Sequence, residues 1–327
     1  MKNKRFGILR WLGAPLLVVA LALLVISNLQ SISDYVKLRG YNPPPDVVRL
    51  ADETTMTDKA RKLFYVNHPQ VADRSSFNDV CNNNGEQTIV LGCYHSVDRG
   101  IFLFDVQDAR LDGVEHVTAA HEMLHAAYDR LGDAERASIN AQLQNFYDTS
   151  VKDERIRETM AAYEESEPDD VVNEMHSIFA SEIATLPTEL ETYYDQYFSD
   201  RAKVVAYASA YQQEFSDRQD RVESFDLRLV DLKNQIDENT ATLKRREEEI
   251  ATLQRQLEDR RNSGDVETYN ASVPIYNTRV DQYNNLIRTT QNTIAEYNRL
   301  VAERNELALE VKELTTSISS QLAPIER

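Results

Sequence analysis

Basic residues are scarce in this chain: 36 Lys and Arg stand against 54 Asp and Glu, a net charge of −18 over 327 residues. Sequence-independent nucleic-acid binding rests on clustered Lys and Arg, so nucleic acid is excluded as a partner. The imbalance implies a soluble, self-repelling exterior. Cysteine is scarcer still, with Cys81 and Cys93 alone, and no C-x-x-C spacing that would mark a thiolate zinc cage. The two flank Asn82-Asn83-Asn84-Gly85. A disulfide there would clip a loop to a strand, worth about 3 kcal/mol for a loop of that size, and an exported location permits it. Two buried free thiols are the alternative.

Trp11 to Ile26 carries no charge and follows Lys2, Lys4, Arg5 and Arg10. The run is slightly short for a bilayer core of ~30 Å, but Ile8 and Leu9 extend it if Arg10 snorkels. The cationic end should stay in the cytoplasm and leave the bulk of the chain outside. A cleaved signal peptide competes with this reading, but its small-residue cleavage site is poorly formed. We therefore expect residues 1–27 to be a cytoplasmic N-terminus and transmembrane signal anchor. Residues 28–56, with Pro43-Pro44-Pro45, read as a stiff juxtamembrane spacer that carries a short helix after Pro45. Thr57 can N-cap a helix running to about Val66.

Val117-Thr118-Ala119-Ala120-His121-Glu122-Met123-Leu124-His125-Ala126-Ala127-Tyr128 holds an H-E-x-x-H core inside a continuous helical pattern. Residues four apart on a helix lie nearly above one another, so His121 and His125 can aim two nitrogens at one metal about 2.0–2.1 Å away. Glu122 is placed to face a water at that metal and act as general base. Val114, Val117, Ala120, Leu124, Ala127 and Leu131 give the helix its apolar spacing, and Gly132 offers a stop. Burying His-Glu-His in such a helix requires compensation, and metal ligation provides it. A catalytic zinc wants a third protein ligand. The remaining histidines are His68, His95, His116 and His176, and the stronger source is a second helical segment from Val171 to Glu182.

His121-Glu122-Met123-Leu124-His125-Ala126-Ala127-Tyr128-Asp129 followed by Asn173-Glu174-Met175-His176-Ser177 resembles the gluzincin metallopeptidases, the thermolysin-like group. The resemblance implies His121, His125 and Glu174 as ligands of one Zn²⁺ per chain, Glu122 as general base, and Asp129 as a support behind the ligands. It covers about fifteen residues and names a clan rather than a protein. It departs from the group's pattern four residues after Glu174, where an acid is common and Ile178 stands here. On spacing and side-chain chemistry alone, His176 and Glu182 stay open as the third ligand. Tyr128, Tyr163 and His176 are the candidate oxyanion stabilisers.

Thr88 to Tyr94 and Gly100 to Val106 are β-rich runs joined by a polar turn, and predict a hairpin. Ile101-Phe102-Leu103-Phe104 would be the strand along which an extended peptide pairs, or would simply pack in the core. Helices broken around Glu167-Pro168 and Leu186-Pro187 complete a domain over residues 57–216. From Asp217, Val222, Leu229, Ile236, Leu243, Ile250 and Leu257 recur every seven residues, and Val273, Val280, Ile287, Ile294, Val301 and Ala308 repeat the series after Asn262-Ser263-Gly264-Asp265. That pattern predicts an antiparallel coiled-coil hairpin over residues 217–322, with Pro274 in or just before the first turn of its second arm. Tyr276, Tyr283 and Tyr297, with Asn277, Asn284, Gln291, Asn298 and Asn305, read as register-setting seam residues or as a face for glycan or an envelope protein.

The expected fold is α+β, mainly helical: a zincin-like domain with a small β-hairpin or sheet, an N-terminal transmembrane helix and a C-terminal antiparallel coiled-coil hairpin. The expected function is zinc-dependent hydrolysis of peptide or protein substrates outside the cell membrane, with a non-catalytic envelope scaffold as the alternative.

Overall fold

A computed structural model describes residues 28–81, 89–96 and 100–321. They are mainly helical, with one three-stranded sheet. Two compact units divide them: one runs up to Tyr211 and regains a short segment from Ser317, and the other runs from Gln212 to Thr316. The Trp11–Ile26 run lies outside the described residues, and among the described residues no helix is long and apolar enough to cross a membrane.

Residues 28–56 carry the short helix expected after Pro45 and a second helix before it. They form helix α1 (Leu29–Leu38) and helix α2 (Pro45–Glu53), and α2 buries Val47, Leu50 and Ala51 completely. Pro45 suits the first helical position, where a missing N–H loses no bond. The three apolar residues share one face, and that face anchors the segment in the core. Helix α3 (Asp58–Val66) starts at Thr57, whose hydroxyl accepts the Ala60 N–H at 3.3 Å, and buries Leu63, Phe64 and Val66.

The sheet contains β1 (Gln70–Ala72), β2 (Gly92–His95) and β3 (Gly100–Phe104), in the order β1-β3-β2. The antiparallel β2–β3 pair is the expected hairpin, with Cys93 opposite Phe102. Strand β1 pairs parallel with the other edge of β3. The expectation that Ile101–Phe104 offers an edge to substrate is therefore corrected: both edges of β3 are taken, and among the described residues β2 is an outer strand. Between β1 and β2 lies helix α4 (Arg74–Val80), capped by the Asp73 side chain and ended at Cys81. Cys81 and Cys93 form a disulfide, with Cα atoms 5.8 Å apart.

Helix α5 (Val114–Tyr128) buries every residue except Glu115 and His121. Gly113, at φ +105, precedes it, and a Cβ there would meet Tyr207 at 3.1 Å. The helix stops at Tyr128, before Gly132, which opens α6 (Asp133–Thr149) instead. Then come α7 (Glu154–Ser166), α8 (Val171–Glu182) and α9 (Thr188–Tyr194), broken at Pro168 and Pro187. Helices α5 and α8 pack face to face, with Ala119, Ala120, Met123, Met175, Ile178 and Phe179 buried in one core.

Helix α10 (Arg201–Ser263) begins in the first unit and continues without a break into the second. Arg201 is 7 % exposed and closes the end of α8, donating to the Ala180, Ile183 and Ala184 carbonyls at 3.0, 2.7 and 3.1 Å and pairing with Glu191. These carbonyls have no partners within a helix ladder. Arg201→Ala is expected to lower stability by about 3 kcal/mol in denaturant titration at neutral pH, because it strands the carbonyls and one carboxylate. The Arg201 bond holds the Glu191 carboxyl below its ordinary 4.5 against the opposing effect of burial. The pair thus stabilises above that value and fades as pH falls below it, so the deficit of the variant should shrink in acid.

In the second unit, α10 returns as α11 (Val266–Ile318) through Gly264, at φ +73, and Asp265, whose side chain caps Thr268 N–H at 3.1 Å. Ion pairs Arg218–Glu310, Arg228–Glu296 and Arg304–Asp226 fix an antiparallel register. Tyr276, Tyr283 and Tyr297 are half-buried on the seam, while Asn277, Asn284, Gln291, Asn298 and Asn305 face outward. Pro274 does not sit in the first turn as expected: the helix starts at Val266, so Pro274 lies inside it and omits one ladder bond. Past the arm, Ser317 to Ser320 rejoin the first unit, where Asn78 donates to the Ser320 carbonyl at 2.8 Å and Arg74 donates to the Ser319 carbonyl.

Candidate metal centre

Helical spacing on α5 places His121 and His125 one turn apart, with their Nε2 atoms 2.9 Å from each other. Glu174, in the first turn of α8, reaches between them. Its Oε2 lies 3.4 Å from His121 Nε2 and its Oε1 3.4 Å from His125 Nε2. The three residues form a group that could hold a metal ion, with one ligand atom from each lying within 4.8 Å of the others.

The side chains around the group orient it. His125 Nδ1 donates to Asn173 Oδ1 at 3.0 Å, with Ser177 Oγ 3.4 Å from the same nitrogen. That bond fixes the ring and turns Nε2 toward Glu174. Glu174 Oε2 is buried with no hydrogen-bond partner. Burial pushes the Glu174 carboxyl up, but His125, then His121, with a contribution from the Tyr163 hydroxyl, hold it below the ordinary carboxylate range. A buried carboxylate needs positive charge beside it, and a cation held by the three residues would supply that charge.

Glu122 is 5 % exposed and follows His121 on the same helix. The backbone of β2 passes directly over it: a Cβ on Gly92 would sit 2.6 Å from Glu122 Oε1 and 2.6 Å from Thr118 Cγ2. These groups open on a cleft of about 630 Å³, whose walls include β2, Arg155, Tyr163, Ile178, Tyr211 and Ile318.

The other sequence candidates fall elsewhere. His176 is fully buried, bonds Tyr193 Oη at 3.0 Å and lies among Tyr128, Tyr193, Tyr194 and Tyr197. Burial, then the charges of His125 and His121, push its pKa down to about 3, so it stays neutral in the core. Glu182 pairs with Arg155 at 2.8 Å on the cleft wall. Asp129 ends α5 and acts on Tyr94, whose hydroxyl burial and then the Asp129 charge push up. The side chain behind His125 is Asn173 rather than Asp129, because the ring of His125 turns its Nδ1 toward α8. Among the oxyanion candidates, Tyr128 donates to Asn140 Oδ1 at 2.9 Å, away from the cleft, whereas Tyr163 lines it.

Gly92 is a site residue that motif and spacing did not single out, although a lone glycine in a β-rich run signals close approach of another group. No protein-family model, characterised protein or solved structure matches the chain.

Proposed function

We propose that this protein is a zinc-dependent metallopeptidase of the gluzincin type, anchored in the cell membrane by the Trp11–Ile26 run with its bulk outside. The observation that carries the reading is the convergence of His121, His125 and Glu174 from two helices, beside a buried Glu122 under an outer strand. Glu174 stands 3.4 Å from each imidazole, close to the roughly 3.3 Å between ligand atoms of a tetrahedral ion with bonds of ~2.0–2.1 Å, and the two Nε2 atoms, 2.9 Å apart, would spread by a few tenths of an ångström around it. Bound there, zinc would supply Lewis acidity, polarising a carbonyl and lowering the pKa of a water toward ~7.

The chain's own residues supply the rest. Glu122 takes the proton from the attacking water and delivers it to the leaving amine. Asn173 fixes the ring of His125, Tyr163 donates to the developing oxyanion, and the outer edge of β2 holds an extended peptide by strand addition.

Full-length protein purified in detergent should carry about one zinc per chain, lose hydrolysis of fluorescently labelled casein on chelation and regain it with added zinc. A chain that binds no zinc on titration would overturn the proposal and leave the envelope-scaffold reading.

Gly92→Val gives a second check. With less than 3 Å to Glu122 and Thr118, a side chain there must displace the base or the strand. Turnover should fall about a hundredfold with zinc content unchanged, the effect of roughly 1 Å of misplacement.

A further inference from the structure

Strand β2 carries chemistry on both faces. Gly92 lies against Glu122, while the next residue, Cys93, turns the other way and packs with Cys81, Phe102 and Phe104. Two residues on, His95 shares that second face, and its Nε2 lies 3.4 Å from Cys93 Sγ. Cys81 is 4 % exposed, and Cys93 and His95 are half-buried. The two sulfurs and the imidazole nitrogen lie within 4.8 Å of one another.

We propose that Cys81, Cys93 and His95 are a second metal site, selective for a thiolate-seeking divalent ion such as zinc, which forms when the disulfide is reduced. The disulfide and the metal are alternative clamps between β2 and the end of α4. The spacing supports this. Sulfur and nitrogen ligands of a tetrahedral zinc, at ~2.3 and ~2.0–2.1 Å, stand roughly 3.6 Å apart, close to the 3.4 Å between Cys93 and His95. The remaining movement is separation of the two sulfurs to roughly 3.8 Å, which cleavage of their bond permits.

Reduction takes two electrons and two protons, which a dithiol supplies. Its thiolate attacks Cys93, the more exposed sulfur, Cys81 leaves, and closure of the reagent to a cyclic disulfide frees Cys93. Two electrons enter the protein, and its two sulfurs take up the two protons of the reagent. Metal binding then releases two protons as Cys81 and Cys93 become thiolates, while His95 offers its Nε2 lone pair.

Cobalt(II) reads the site directly, because charge transfer from sulfur reports thiolate ligands and is silent for His121, His125 and Glu174. Oxidised full-length protein in detergent should show no near-ultraviolet charge-transfer band with cobalt. After dithiothreitol treatment and its removal without air, one equivalent should produce the band, which zinc should erase. Cys93→Ser and Cys81→Ser should each lose the two-thiolate intensity, and His95→Ala should require more cobalt for the same signal. A folded, reduced protein with two titratable thiols and no band would overturn the proposal, as would a full band in Cys93→Ser. Loss of the helical circular dichroism on reduction would overturn it too, since the site needs β2 beside α4.

Discussion

Replacing Glu122 by Gln should leave zinc bound and reduce hydrolysis by about three orders of magnitude, the range in which a positioned general base operates. Glutamine keeps the shape of the side chain under Gly92, so β2 and the cleft stay in place. It cannot take a proton from water. The ligand set is untouched, because His121, His125 and Glu174 contribute the group that could hold the ion. Metal analysis and casein hydrolysis measured on one preparation test both halves. Near-normal turnover in the variant would show that Glu122 is not the base.

The second large effect is expected at Glu174. Glu174→Ala removes one of three ligands, and zinc affinity should fall by more than the ~10–100-fold that loss of an outer-shell partner costs. Asn173→Ala, which releases His125 Nδ1, belongs within that smaller range. His176→Phe, Glu182→Ala and Asp129→Ala should hold zinc normally, since their partners are Tyr193, Arg155 and Tyr94. Competition against a chromogenic zinc chelator ranks the five variants. If His176→Phe loses the metal and Glu174→Ala keeps it, the centre is a three-histidine one and the resemblance fails at that residue.

Features written in consecutive residues are legible in the chain itself. One turn of helix brings His121 over His125 whatever surrounds it, so the pair follows from i, i+4 spacing. The seven-residue series and the Gly264-Asp265 break likewise specify two arms and a turn, and Val222, Leu229, Ile236, Leu243, Ile250 and Leu257 of the first arm are all half-buried. Thr57, the Pro45 start and the proline breaks after Ser166 and before Thr188 act on the backbone within a few residues.

The helical pair with its base, the arm and the β2–β3 hairpin are thus outcomes of local periodicity or turn chemistry, and the residue order suffices for them. The rest depends on which elements meet. Glu174, His176 and Glu182 all lie on α8, and only the packing of α8 against α5 settles which carboxylate meets the two imidazoles and which histidine is sealed among tyrosines. Three residues of β1 are too few to show a period, yet their pairing turns β3 into a central strand and leaves β2 over Glu122. The helix after Pro45 follows from the local sequence, but that Val47, Leu50 and Ala51 enter a core depends on the elements that meet them. The common cause is that burial and partner choice depend on residues far away in the chain, and local spacing carries no information about which distant face will arrive.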